Sequence, residues 1–250
     1  MSESANKVLS ACYSVRLLRG AYTGPVVNVR RSSDNATSAF YADQFQSSGD
    51  LWATQQLASG GTSLTSWLGA ATAYVVTWYD QSGNGNNASN GTTGATQPNL
   101  SYQSGKWVLQ WQNANATVLN MTTAISPYTV LSQFLNNNST GTIASSAIDF
   151  GLRLGYNVNG FSNNGDWYYS SGGTKLSYVN GAPATALTLS AWHYMELSTS
   201  TPATTSPFTR IGMDGFSSDR SINGYMTEIM FHSSTLTDSD MLQYYWNRIL

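Results

Sequence analysis

Charge is what this 250-residue chain has least of: Asp, Glu, Lys and Arg make up 10% of it, against about 25% in an average soluble protein. The 11 Lys and Arg set against 13 Asp and Glu leave a formal net charge of −2. A basic patch for nucleic acid is therefore not expected. One cysteine, Cys12, excludes an intramolecular disulfide and reads as a buried structural thiol, so the fold rests on its core. No stretch approaches the roughly 18 consecutive apolar residues of a membrane span. Long amphipathic windows rich in Ala, Glu, Lys and Leu are missing, which excludes a helical bundle. Residues 1–7 carry neither the charged nor the apolar part of a secretory signal. The expectation is a protein made without export, with Asn-x-Ser/Thr triplets such as those at Asn35 and Asn87 arising by chance.

What is present is turn chemistry and aromatic side chains. Hydrophobic residues reach 41%, aromatics 12% with 8 Trp and 15 Tyr, and there are 22 glycines. That is enough to bury a core and too much to leave the chain disordered. Val8, Cys12 and Val15 at i, i+4 and i+7 predict a short helix over residues 5–18. Thr237 with Asp240 three positions on is a capping-box variant, and it predicts a C-terminal helix carrying Met241, Leu242, Tyr245, Trp246 and Ile249. Only these two ends read as helical. Between them lie strand patterns: Val27 and Val29; an unalternating run from Tyr74 to Tyr79 that reads as buried on both faces; Trp107, Leu109 and Trp111; and Leu152, Leu154, Tyr156 and Val158. Leu176 to Val179 leads into Asn180-Gly181, a pair suited to a type I′ hairpin. Trp192 to Leu197 and Tyr225 to His232 complete the set. Trp107, Trp111 and Trp192 are expected in the core. Short strands between Gly, Asn and Ser turns predict an all-β, antiparallel sandwich of jelly-roll type, with short N- and C-terminal helices, as a single domain over residues 1–250.

Two blocks are more specific. Residues 11–19 (Ala-Cys-Tyr-Ser-Val-Arg-Leu-Leu-Arg), Tyr22 to Pro25, Val29 to Asn35 and, above all, Tyr79-Asp80-Gln81-Ser82-Gly83-Asn84-Gly85 resemble the N-terminal part of the catalytic domain of the fungal-type α-L-arabinofuranosidase B family. Tyr178 to Gly181, Trp192 to Tyr194, Ile211-Gly212 and Asn223 to Asp238 look like the C-terminal half of laminin-G-like and pentraxin-like jelly rolls. Both resemblances imply a concanavalin A-like fold and an association with carbohydrate. In the arabinofuranosidases the general acid is an Asp soon after an Ile-Gly pair, so the likeness assigns that role to Asp214. The family nucleophile is a Glu on a central strand, and the corresponding residues 155–160 contain no carboxylate. A double displacement needs that second carboxylate. Asp149, Asp166 and Glu196 are substitutes without a motif behind them.

Simpler readings stand beside these. Asp80 reads as a turn carboxylate accepting backbone N–H bonds, Asp214 before Gly215 as a turn former, and Glu228 as the partner of Arg210 or Arg153. Sugar binding without catalysis needs aromatic faces and neutral amides. Asn164, Asp166, Trp167, Tyr168 and Tyr169 supply that composition, with Asp80, Gln81, Asn84 and Asp214 as further candidates. No zinc spacing occurs around His193 or His232 and no cofactor is expected, although Asp214, Asp219 and the carbonyls of residues 214–220 offer part of a calcium shell. The resulting expectation is a non-catalytic carbohydrate-recognition or structural surface module. It would bind glycan, form a homo-oligomer or particle such as a virion capsid or fibre, and touch neither nucleic acid nor membrane. The alternative is an active arabinofuranosidase-type glycoside hydrolase with Asp214 as acid.

Overall fold

The computed structural model describes residues 8–43, 49–53, 61–103, 105–137, 141–145, 152–154, 175–183, 187–202, 207–213 and 221–240. In chain order the strands are β1 (Leu9–Ser14), β2 (Val27–Arg31), β3 (Thr37–Ala42), β4 (Leu51–Trp52), β5 (Ala73–Trp78), β6 (Ala88–Ser89), β7 (Asn99–Gln103), β8 (Lys106–Trp111) and β9 (Leu119–Ile125). They continue as β10 (Thr129–Asn136), β11 (Gly141–Ser145), β12 (Leu152–Leu154), β13 (Lys175–Val179), β14 (Ala182–Pro183), β15 (Trp192–Thr199), β16 (Phe208–Ile211) and β17 (Gly224–His232). The pairings among them are antiparallel and form two layers. One layer runs β13-β15-β10-β17, with β1 and β8 sharing the far edge of β17. The other runs β3-β2-β5, then through β6 to β9, β16, β11 and β12. The β7–β8 hairpin joins them, since β7 also pairs with β5.

The layers bury their facing sides against each other, and the alternation of each strand decides which side that is. Ala11, Tyr13, Val130, Phe134, Leu197, Ile229 and Phe231 meet Val27, Val29, Val75, Trp78, Leu119 and Phe208 in one apolar cluster. Tyr13 contacts Trp78 at 5.6 Å and Phe208 contacts Phe231 at 6.1 Å between ring centroids, and these contacts stitch the layers together. The all-β sandwich expected from the turn-rich sequence is the observed architecture.

Several local expectations are corrected. Residues 9–14 form a strand and not a helix. Cys12 is buried while Val8 is 63% exposed, so the helical stripe they would share does not exist. Pairing with β17 buries both sides of this segment: Ala11 and Tyr13 face the main core, and Cys12 faces a second cluster. The chain also forms a helix that the sequence reading passed over, α1 (Leu64–Leu68), capped by the Ser63 hydroxyl and closed at Gly69 with φ 57°. β5 is not buried on both faces. Ala73, Val75 and Trp78 point inward while Tyr74, Val76 and Thr77 are half-buried. The ladder to β2 slips between Asn28 and Val29, leaving Val76 as the extra residue of a bulge. That bulge shifts the inward phase by one residue, which is why the sequence shows no alternation there. Trp192 is half-buried and not a core residue, whereas Trp107 and Trp111 are buried.

Two expectations match the geometry closely. Asn180 and Gly181 have φ of 53° and 76°, as the β13–β14 hairpin turn requires. Residues 238–240 are helical, and the N–H and hydroxyl of Thr237 both donate to the Asp240 carboxylate. The apolar face expected beyond Asp240 lies outside the described residues.

Candidate functional site

The residues that carried the strongest sequence motif are used by the protein on itself. Asp80 is buried. Its Oδ1 accepts the N–H groups of Cys12 (2.9 Å) and Ser82 (2.8 Å), and its Oδ2 accepts the Asn86 N–H (3.0 Å) and the Ser82 hydroxyl (2.7 Å). The turn-carboxylate reading of Asp80 is the geometry found. Gln81 donates from Nε2 to the carbonyls of Ser14 (3.0 Å) and Arg16 (2.9 Å), while its Oε1 accepts the Leu18 N–H (2.9 Å). Asn84 donates to the carbonyls of Leu9 (2.7 Å) and Ser10 (3.1 Å). Together these three side chains fasten the turn 80–86 along β1 and the segment that follows it. Buried backbone groups at the sandwich end need such partners.

Two further carboxylates stand on the outer side of the β10–β15–β17 layer, away from the main core. Glu228 is fully buried, and its Oε2 accepts a hydrogen bond from Arg16 Nη2. The cationic partner seen among the described residues is Arg16, which the chain leaving β1 brings beside β17, while the side chain of Arg153 lies outside the described residues. Glu196 is also fully buried, with neither carboxyl oxygen hydrogen-bonded. Its register neighbours are Leu131 and Tyr178, members of an apolar cluster completed by Cys12, Met230 and Leu236. Burial pushes the Glu196 carboxyl up to about 8.

A cavity of about 300 Å³ opens between α1 and the β7–β8 hairpin. Thr65 and Leu68 of α1 and Thr72 and Ala73 form one side, with Asn99, Ser101, Tyr102, Trp107 and Gln110 on the other. Tyr102 is 50% exposed and meets the Trp107 ring edge-on at 5.2 Å, and the Trp107 indole N–H donates to Asp50 at 3.0 Å. No carboxylate, histidine, cysteine, lysine or arginine is among the described lining residues. Hydroxyls, amides and an aromatic wall suit a neutral polyhydroxylated ligand. The sequence reading did not single out this group. Its signal was faint: Asn99 and Ser101 alternate with Leu100 and Tyr102, which shows one polar and one apolar face but not a concavity.

Asn164, Asp166, Trp167, Tyr168, Tyr169, Asp214 and Asp219, and the stretch 155–160, lie outside the described residues. The approach to Asp214 is described as far as Met213. Gly212 has φ 92°, and a Cβ there would fall 2.2 Å from the Trp111 ring, so only glycine fits between that indole and the turn. Among the described residues no three His, Cys, Asp or Glu side chains gather as a metal site would require, and no helix is long and apolar enough to cross a membrane.

No protein-family model and no curated protein matches the sequence. Solved structures do match. One is an arabinofuranosidase complexed with arabinofuranosyl-alpha-1,2-xylobiose, at TM-score 0.58 and 16% identity, covering 96% of this chain and 62% of that one. A mutant GH54 α-L-arabinofuranosidase soaked with 4-nitrophenyl α-L-arabinofuranoside matches at TM-score 0.59 and 16% identity over the same shares. A GH54 α-L-arabinofuranosidase soaked with a cyclic sulfate inhibitor matches at 0.58 and 15%, again over 96% and 62%. The chain thus spans 62% of the length of these structures, and the shared property is the fold.

Proposed function

We propose that this chain is a carbohydrate-recognition module on an arabinofuranosidase-type sandwich, binding glycan without cleaving it. The observation that carries the reading is the cavity beside α1, which offers neutral amides, hydroxyls and the exposed face of Tyr102 and has no acid or base among its described lining residues. Such a surface orients hydroxyls and stacks a sugar ring but moves no proton. The solved structures of like fold were determined with arabinofuranosyl-xylobiose or an arabinofuranoside, which makes arabino- and xylo-oligosaccharides the first ligands to try. The sequence supports the non-catalytic half of the reading, since residues 155–160, where the resemblance puts a nucleophile, contain no carboxylate.

Titration calorimetry of the chain with these oligosaccharides is expected to give saturable binding, weakened about tenfold or more by Tyr102→Ala through loss of the stacking face. Absence of binding to any of them would overturn the reading. The second reading, hydrolysis with Asp214 as general acid, is favoured by one observation: Gly212, of the Ile-Gly pair ahead of Asp214, is packed at positive φ against Trp111 in a way that admits only glycine. Nitrophenol release from a nitrophenyl α-L-arabinofuranoside, abolished by Asp214→Asn, would establish that reading and displace the first.

A further inference from the structure

One residue of the cavity lining also belongs to a second surface feature. Gln110 lines the cavity, and Gln110 is also the first residue of a row that crosses the outer side of the sheet. The register sets Gln110 beside Tyr225, Tyr225 beside Leu135 and Leu135 beside Trp192, on four adjacent strands, β8, β17, β10 and β15. Side chains at matched register positions share a face, and all four are half-buried, so each keeps part of its surface open to solvent. At a strand spacing of about 4.8 Å the row extends roughly 14 Å from the cavity. The Trp192 and Tyr225 rings lean towards each other over Leu135, with centroids 6.4 Å apart and planes inclined by 33°. They form a shallow aromatic floor. Gln133 and the Arg16–Glu228 pair stand one row behind it, where Gln133 Oε1 accepts the Thr227 hydroxyl at 2.6 Å.

Lys106 completes the strip. It is exposed on the same side of β8 as Gln110, and its Nζ lies 5.0 Å from the centre of the Trp192 ring. Its described contact is that ring face, so the three N–H donors of the ammonium remain available. Among the described residues the charged groups facing it are Glu228 and Arg16, which pair with each other. These three described charges sum to one positive charge at the aromatic floor, in a chain whose formal net charge is −2.

Building on the carbohydrate reading, we propose that the strip from Gln110 to Trp192 extends the cavity into a groove for an acidic glycan, a sugar chain bearing a carboxylate that Lys106 receives. The aromatic floor takes the apolar faces of the sugar rings, the amides of Gln110 and Gln133 face its hydroxyls, and the unspent ammonium selects the charged unit.

The test is a titration of the chain with a xylo-oligosaccharide and with the same backbone carrying a glucuronate branch. The branched ligand is expected to bind about tenfold more tightly at low salt, with the advantage fading at about 0.5 M salt. Lys106→Gln should bring the two affinities together, and Trp192→Ala should weaken both, with thermal melts verifying that each variant folds. Equal affinity for the two ligands, or a preference that survives Lys106→Gln, would overturn the acidic groove and leave the carbohydrate reading intact. No binding of either ligand would overturn both.

Discussion

Glu196 places a carboxyl group among Leu131, Tyr178, Met230 and Leu236 with no hydrogen bond to either oxygen. An ionised group there has nothing to replace the water it loses, so the protonated form is favoured and the carboxyl is pushed up to about 8. The groups around it do not relieve this. Tyr178 on β13 is itself raised, by burial first and then by its hydrogen bond with Asp238. Cys12 faces the same cluster from β1. The sign follows from proton binding: between the ordinary range for Glu, 4.5, and about 8 the folded state holds a proton that the unfolded state has released. Stability contributed at Glu196 is therefore present at acid pH, falls as pH rises through that window, and levels off above it. Urea unfolding from pH 5 to 9 should show this decline, and Glu196→Gln should flatten it and raise stability at pH 8. A steeper decline in the variant would refute the assignment. Asp80 is the contrasting residue. Its role was legible in the sequence because Ser82 and Asn86, which it binds, are neighbours in the chain. The burial of Glu196 was not legible, because Leu236 covers that face from forty positions away, a separation read from the numbering.

At the scale of elements, the errors of sequence reading have a common cause in tertiary pairing. The N-terminal segment shows a helical spacing of apolar residues, but β17 offers it a ladder and two buried sides, and hydrogen bonding to that strand prevails over local pattern. In β5 the bulge at Val76 erases the alternation that would have shown which face is buried. Where the local rule is steric the reading held, as at Asn180-Gly181, whose positive φ values few other residue pairs tolerate. Gly212 follows the same logic through packing. Gly212→Ala combines a positive φ with a Cβ 2.2 Å from the Trp111 ring, and both must be relieved by moving the turn. It is expected to cost about 2 kcal/mol or more in denaturant unfolding. A loss below about 0.5 kcal/mol would mean that the indole is free to shift.

At the scale of the whole molecule, the first described strand pairs with the last: β1 lies along the C-terminal half of β17, with Ala11 opposite Phe231 and Tyr13 opposite Ile229. Closing a sheet from residues more than 200 positions apart is entropically slow, and it makes the rest of the sandwich depend on both ends. Removing residues 1–14 would uncover Phe231 and Ile229 and leave Asp80 without the Cys12 N–H. The truncated chain is expected to lose its near-ultraviolet circular dichroism and to elute as aggregate. A monodisperse product with native dichroism would show that β1 is dispensable. Composition and turn chemistry alone determined that this is an all-β sandwich, because Gly, Asn and Ser punctuate short apolar strands and act through local sterics. They also placed the Asp80 turn, whose partners include near neighbours in the chain. Only the tertiary structure decided that residues 9–14 are a strand, that Arg16 reaches Glu228, and that Gln110, Tyr225 and Trp192 share one open strip. Those outcomes depend on which strands lie side by side, and strand order is set by the burial of whole faces rather than by any local run of residues.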